Sequence, residues 1–141
     1  MAENRIKEMV ADVAKKDRAT GWIVSQIYSC SLEEKWYPAI ASLFMLLEQV
    51  LRFKTGSGIN DSLCTVIKNA RKSGLIDETE ENVLHEIRGY RNAYLHSNFY
   101  ENTFEIAGLL YPVNDEGTAE VVFNKIWAPC LKIIQRLTAC T

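Results

Sequence analysis

A chain of 141 residues, 48% of them hydrophobic, is long enough to bury the core of one domain and too short to make two comfortably. With 16 basic against 18 acidic residues and a pI near 5.7, it lacks the broad positive footprint of a protein that grips nucleic acid by general electrostatics, so any nucleic-acid contact must be local. No apolar run reaches the roughly 18 residues of a membrane span, the four cysteines (Cys30, Cys64, Cys130, Cys140) have no C-x-x-C spacing, and MAENRIKEMV is charged rather than a secretory signal; the expectation is a cytoplasmic chain with reduced thiols, no membrane contact and no metal or other cofactor.

Within residues 4–16, Ile6, Met9, Val10 and Val13 fall at i, i+3, i+4 and i+7, the spacing of one buried helical stripe, and KKDR closes the segment with charge. Thr20 can cap a second run, GWIVSQIYSC, read as helix although Gly21 and the β-branched residues also suit a strand. Ser31-Leu32-Glu33-Glu34 has the S-x-x-E form of a capping box and predicts the start of the most hydrophobic segment, WYPAIASLFMLLEQVLRFK, which ends at Thr55 and Gly56. Pro38, in its first two turns, predicts a local distortion. Apolar residues cover more than one stripe of this central helix, which suggests burial on two sides, by the chain's own core and, on one reading, by a second copy of the chain. Glu48 is the acid within it, either a surface residue pairing with Arg52 at i+4 or the holder of a buried arginine such as Arg91.

Thr55 to Asn60 reads as a flexible loop, after which Asn60 or Asp61 can cap a helix through Leu63, Val66, Ile67 and Ala70 to a stop at Ser73-Gly74. Asp77-Glu78-Thr79-Glu80 is a second capping arrangement, with acids where the helix dipole favours them, and it launches a long amphipathic helix through ENVLHEIRGYRNAYLHSN. Past Ser97, TFEIAGLLYPV and TAEVVF are β-prone runs on either side of the turn-rich Asn114-Asp115-Glu116-Gly117, which predicts a small hairpin or an ordered loop. A last helix is expected from about Asn124 through Trp127 and Leu137, with Pro129 early in it. The pattern as a whole is mostly α, with a short extended excursion before the last helix.

The stretch from Glu81 to Asn98 carries the chemistry. At about 100° per residue, Val83, Leu84, Ile87, Tyr90 and Tyr94 gather on one side, while His85, Arg88, Asn92 and His96 follow one another down the other. Arg91 breaks the order by falling in the apolar sector between Ile87 and Leu95, where a guanidinium is costly unless an anion meets it. A salt bridge to Glu48 or to a partner chain would answer that cost, and His96 can be read simply as a cation at a helix C-terminus. His85 reads as part of a solvated face, and Trp22, Trp36 and Trp127 as core or interface aromatics.

Arg91-Asn92-Ala93-Tyr94-Leu95-His96 resembles the hallmark of the HEPN (higher eukaryotes and prokaryotes nucleotide-binding) domain family, an Arg followed by a polar residue, often Asn, and a His shortly after. The resemblance takes in IASLFMLLEQVLR and the GLI-plus-acidic turn before the motif helix, so it spans residues 31–98. It implies a helical bundle, here of about five to six helices; the hairpin or extended loop expected before the last one is read from the residues and lies outside the resemblance. Many members are metal-independent ribonucleases that act as homodimers in toxin, antiphage or RNA-processing roles, and others are non-catalytic binding or scaffold modules. For this chain it implies a homodimer, an RNA substrate and an antitoxin or other partner protein.

Carried over to these positions, Arg91 would hold phosphate, His96 would move protons, Asn92 would orient them and Arg88 would extend the cationic lining toward substrate. Metal-free RNA cleavage needs a proton shuttle and a cation for the charge developing on phosphate, tasks that suit an imidazole and a planar guanidinium. On an unbroken helix residues five apart diverge by about 140°, so the helix must fray near Leu95 or two protomers must combine around one cleft. Some toxin members carry a modifiable Tyr two residues beyond the His; here that position is Asn98 and the next tyrosine is Tyr100, so regulation by that route is not expected.

Overall fold

The structure is a computed structural model that describes residues 3–95 and 103–139. Its first helix, α1 (Glu3–Lys16), buries Ile6, Met9, Val10 and Val13, the stripe that the spacing predicts. The chain re-enters a helix at once, because the side chain of Asp17 accepts from the backbone N–H of Thr20 at 3.1 Å and so caps α2 (Arg18–Leu32). Thr20 is therefore buried in the first turn and not the cap. Gly21 lies against α1 so closely that a Cβ on it would meet Ala14 Cα at 2.3 Å, which makes the missing side chain the condition for this helix pair.

The S-x-x-E segment closes α2 instead of opening its successor. Lys35 N–H donates to the Cys30 carbonyl at 2.8 Å and Glu34 N–H to the Ser31 carbonyl at 3.1 Å, with Glu34 in the left-handed region at φ 58°. That is a Schellman motif, and it leaves Ser31 Oγ donating back to the Tyr28 carbonyl at 2.6 Å. α3 (Trp36–Thr55) then begins without a side-chain cap and runs unbroken to Gly56. Pro38 is its third residue, in the first turn, where its missing N–H has no intrahelical acceptor to disappoint, so the expected distortion is not needed. The wide apolar coverage of α3 is met within the chain by α2 and by the helices that follow, although Met45 and Phe53 stay exposed.

α4 (Leu63–Lys72) is capped by Ser62, whose Oγ accepts from Thr65 N–H at 3.1 Å; Asp61 accepts instead from Gly58 N–H at 3.0 Å inside the preceding loop. α4 stops at Ser73 and Gly74, as the sequence predicts. α5 (Glu78–Leu95) opens on a reciprocal capping box: Glu80 N–H donates to Asp77 Oδ1 at 2.8 Å, and Asp77 N–H donates to Glu80 Oε1 at 2.9 Å.

The hairpin lies wholly within TFEIAGLLYPV. β1 (Thr103–Ile106) pairs antiparallel with β2 (Leu109–Pro112), and Ile106 opposite Leu109 leaves Ala107-Gly108 as a two-residue turn with φ of 53° and 80°, the signs of a type I′ turn. The tetrad that looked like a turn is the start of α6 (Glu116–Ala139), where Asp115 Oδ2 accepts from Thr118 N–H at 3.3 Å. TAEVVF is therefore helix, with Thr118, Ala119, Val122 and Phe123 buried at helical spacing, and α6 begins at Glu116 rather than near Asn124. Pro129 consequently sits well inside the helix and deprives the Lys125 carbonyl of its helical donor. Among the described residues the helix pair with the most extensive contact is α3 with α6, and the joint is filled by Trp36, Phe123 and Trp127, with ring centroids 5.7 and 5.3 Å apart in succession. The six helices share one buried core, and no described helix is long and apolar enough to cross a membrane.

Candidate functional site

α5 presents the side chains singled out in the sequence. Its buried residues are Leu84, Ile87, Tyr90 and Tyr94, and Arg91 lies among them with its side chain only 16% exposed. The cost of that position is met by Glu48 of α3, itself 18% exposed: Arg91 Nη2 donates to Glu48 Oε2 at 2.8 Å. Arg91 Nη1 donates to the neighbouring Asn92 Oδ1 at 3.1 Å. Asn92 thus has its oxygen turned to Arg91, where it fixes the direction of the guanidinium.

Glu48 has a second cation. Arg52, one turn further along α3, donates from Nε and Nη2 to Glu48 Oε1 at 3.2 and 2.9 Å, and from Nη1 to the Gly58 carbonyl at 3.0 Å. The two pairings read from the sequence, with Arg52 at i+4 and with Arg91, both form, one on each carboxylate oxygen, but Glu48 is largely covered and not the surface residue that the first reading expected. Sequence reasoning set them as alternatives because i+4 spacing shows only the local pair; the distant one depends on how α5 lies against α3.

Arg88 completes the group. Arg88, Arg91 and Glu48 line one small cavity of about 10 Å³, otherwise walled by apolar side chains of α3, α4 and α5, among them Phe44, Leu51, Ile67 and Ile87. That is about the space of one water molecule. Arg88 is half-buried, and its Nε is shut off from solvent with no hydrogen-bond partner among the described residues. Two guanidiniums, those of Arg52 and Arg91, therefore share one carboxylate, and Arg88 lines the same cavity as Glu48 and Arg91, an excess of positive charge at a place where water screens it poorly.

His85 is not on a solvated face. It is half-buried, and its Nδ1 is enclosed without a hydrogen-bond partner among the described residues. On the same side of α5 lie Glu81, 4.0 Å from Arg71 of α4, and Arg88, which shares the cavity with Leu63 and Ile67 of α4. The tyrosines of α5 are held neutral: burial, reinforced by Tyr37 and Asp115, pushes the Tyr94 phenol up to about 12, and burial also raises Tyr90. Tyr94 packs on Phe44 and edge-on to Tyr37, each at 6.0 Å between centroids. His96, the residue with the proton-transfer assignment, lies outside the described residues.

A wider groove of about 590 Å³ runs between the first turns of α5 and the later turns of α6. Within it Arg136 is tied to both Asp77 and Glu80. Of the three tryptophans, Trp127 is in the core, Trp36 packs partly buried against it and Trp22 is 66% exposed. Among the described residues no group of three or more His, Cys, Asp and Glu side chains is placed to hold a metal ion. Comparison of the chain with protein-family models, with curated proteins and with solved structures finds no match.

Proposed function

We propose that the chain is a metal-independent endoribonuclease of HEPN type that works as a homodimer on RNA, in a toxin or antiphage role or with another partner protein. The observation that carries the reading is the excess of guanidinium over carboxylate around Glu48, with Arg88 and Arg91 lining one cavity. An anion with several acceptor oxygens is what such a group is short of, and a phosphodiester offers them in the planar geometry a guanidinium fork matches.

In this reading Arg91, with Arg88 beside it, holds the non-bridging oxygens of the scissile phosphate and stabilises the charge that builds on them during attack. His96 takes the proton from the 2′-hydroxyl as its oxygen attacks phosphorus, and the departing 5′-oxygen receives a proton, from His96 or from its copy in the second protomer. The bond formed is between the 2′-oxygen and phosphorus, the bond broken is between phosphorus and the 5′-oxygen, and the products are a 2′,3′-cyclic phosphate and a 5′-hydroxyl. Asn92, already bonded to Arg91, keeps the guanidinium aimed. Outward-facing Trp22, Met45 and Phe53 supply apolar surface of the kind a second protomer would cover.

A second reading is favoured by the internal engagement of Arg91 with Glu48 and Asn92: a non-catalytic module that binds a nucleotide or a protein and uses Arg91 to stiffen the helix pair. Labelled single-stranded RNA incubated in chelator with the parent, Arg91→Ala and His96→Ala proteins separates the two. Cutting by the parent that both variants lose supports the ribonuclease. Equal cutting by all three exposes a contaminant, and no cutting across varied RNAs leaves the binding module.

A further inference from the structure

Glu48 has two oxygens and two claimants, and the division between them is unequal. Arg52 occupies Oε1 with two nitrogens while Arg91 reaches Oε2 with Nη2. A carboxylate that faced Arg91 alone could turn both oxygens to it and form the bidentate fork that holds an arginine most firmly. Arg52 prevents that by keeping Oε1 for itself.

Arg52 is in turn held from the far side. Its Nη1 donates to the Gly58 carbonyl at 3.0 Å, in the loop between α3 and α4. That loop is internally braced: the Thr55 and Ser57 hydroxyls lie 2.6 Å apart, and Gly58 N–H donates to Asp61 Oδ2 at 3.0 Å. A continuous series of polar contacts thus runs from the loop through Gly58, Arg52 and Glu48 to Arg91.

We propose that Arg52 is a positioning residue of the candidate site, which shares Glu48 with Arg91 and so sets how firmly Glu48 holds Arg91 against an incoming phosphate. The proposal rests on the reading that Arg91 receives phosphate. By drawing off part of the charge of Glu48, Arg52 keeps Arg91 both aimed and releasable. Loss of Arg52 would make Glu48 a tighter partner of Arg91 and a stronger competitor of the ligand.

The test reads Arg91 directly. In protein labelled with ¹⁵N at arginine, the Arg91 guanidinium signal is assigned by its disappearance in Arg91→Lys, and its rate of rotation about the Cζ–Nε bond is measured in the parent, Arg52→Gln, Arg52→Lys and Glu48→Gln proteins. One added charge-assisted hydrogen bond corresponds to a slowing of about tenfold in Arg52→Gln. Arg52→Lys, which keeps a cation on Glu48, should stay near the parent rate, and Glu48→Gln should speed Arg91 above the parent rate. An unchanged rate in Arg52→Gln, or equal slowing in Arg52→Lys, overturns the proposal. If Arg52→Gln does not fold, Glu48→Gln decides, because an Arg91 still as slow as in the parent would mean that Glu48 is not its holder. Anisotropy of a labelled all-deoxy oligonucleotide, read in the parent and in Arg91→Gln, tests the underlying reading separately. Equal binding by those two, or none by either, removes phosphate as the ligand while the rotation rates still decide the role of Arg52.

Discussion

Replacing Glu48 by Gln is the most informative single change to the fold. The substitution keeps size and shape but turns one of two acceptor oxygens into an N–H donor that must face a guanidinium. Either Arg52 or Arg91 then loses its bond to residue 48, and the other loses the charge that strengthened its own. Both arginine side chains are largely covered, 21% and 16% exposed, so water can repair the loss only in part. A missing charge-assisted hydrogen bond and a half-buried cation left without its acid together cost about 2–4 kcal/mol. For a chain of this length that is a fall in Tm of about 6–12 °C. Thermal unfolding by circular dichroism measures it, and a double-mutant cycle with Arg91→Gln should return a coupling of at least about 1 kcal/mol. A Tm within about 1 °C of the parent, with additive single changes, would refute the assignment of Glu48 as the acid that holds this site together.

Gly21→Ala should destabilise by about 1–3 kcal/mol, because its methyl group would enter the space of the Ala14 backbone and push α1 and α2 apart; urea unfolding measures the cost, and an unchanged midpoint would contradict the close approach. Ala107→Asn should stabilise the hairpin by about 0.5–1 kcal/mol, since Asn adopts the left-handed φ at the first turn position more readily than Ala, and amide exchange of residues 103–112 should slow accordingly. Asp77 has its carboxyl held below the usual 3.8, first by the Glu80 backbone N–H and then by Arg136 against an opposing desolvation. A depressed carboxyl contributes stability above its unfolded pKa and loses it as the pH falls through the folded value, so Asp77→Asn should flatten the decline of Tm below about pH 4. Tyr94 has the opposite sign: the folded chain keeps the phenol protonated up to about 12, stability should fall as pH rises from 10 toward that value, and Tyr94→Phe should remove that part of the alkaline limb.

Much of the fold is legible in the chain because several of its signals are local and agree with one another. The stripe of Ile6, Met9, Val10 and Val13, the reciprocal Asp77 and Glu80 cap, and the stops at Gly56 and Gly74 are each set by residues within a turn or two. The misreadings occur where one pattern serves two ends. Ser31-Leu32-Glu33-Glu34 has the letters of an N-terminal capping box, yet the backbone takes a left-handed residue at Glu34 and spends the segment on closing α2. TAEVVF suits a strand by propensity, and what makes it helix is the Asp115 cap together with the continuation of its apolar residues into Ile126, Trp127 and Cys130. Ala107-Gly108 lacks the Asn-Gly pair that usually betrays a type I′ turn, so the eye moves on to Asn114-Asp115-Glu116-Gly117.

The site divides in the same way. That Arg91 is out of place follows from its angle on the helix, and Glu48 is an eligible acid because it interrupts an apolar run. Neither angle nor spacing says that one carboxylate serves Arg52 and Arg91 together, or that the Nδ1 of His85 is enclosed, because those facts belong to the packing of the helices.

The central claim, that Arg91 and its helix serve attack by a 2′-hydroxyl on an RNA phosphate, is tested most directly by the ends left on a cut strand. The parent protein, in chelator, is given a labelled RNA and the same RNA with a single 2′-deoxy nucleotide at the mapped cleavage position. The account predicts a 2′,3′-cyclic phosphate and a 5′-hydroxyl from the first and no cut at that position in the second. Cleavage that proceeds through the deoxy position, or that leaves a 3′-hydroxyl and a 5′-phosphate, would contradict it.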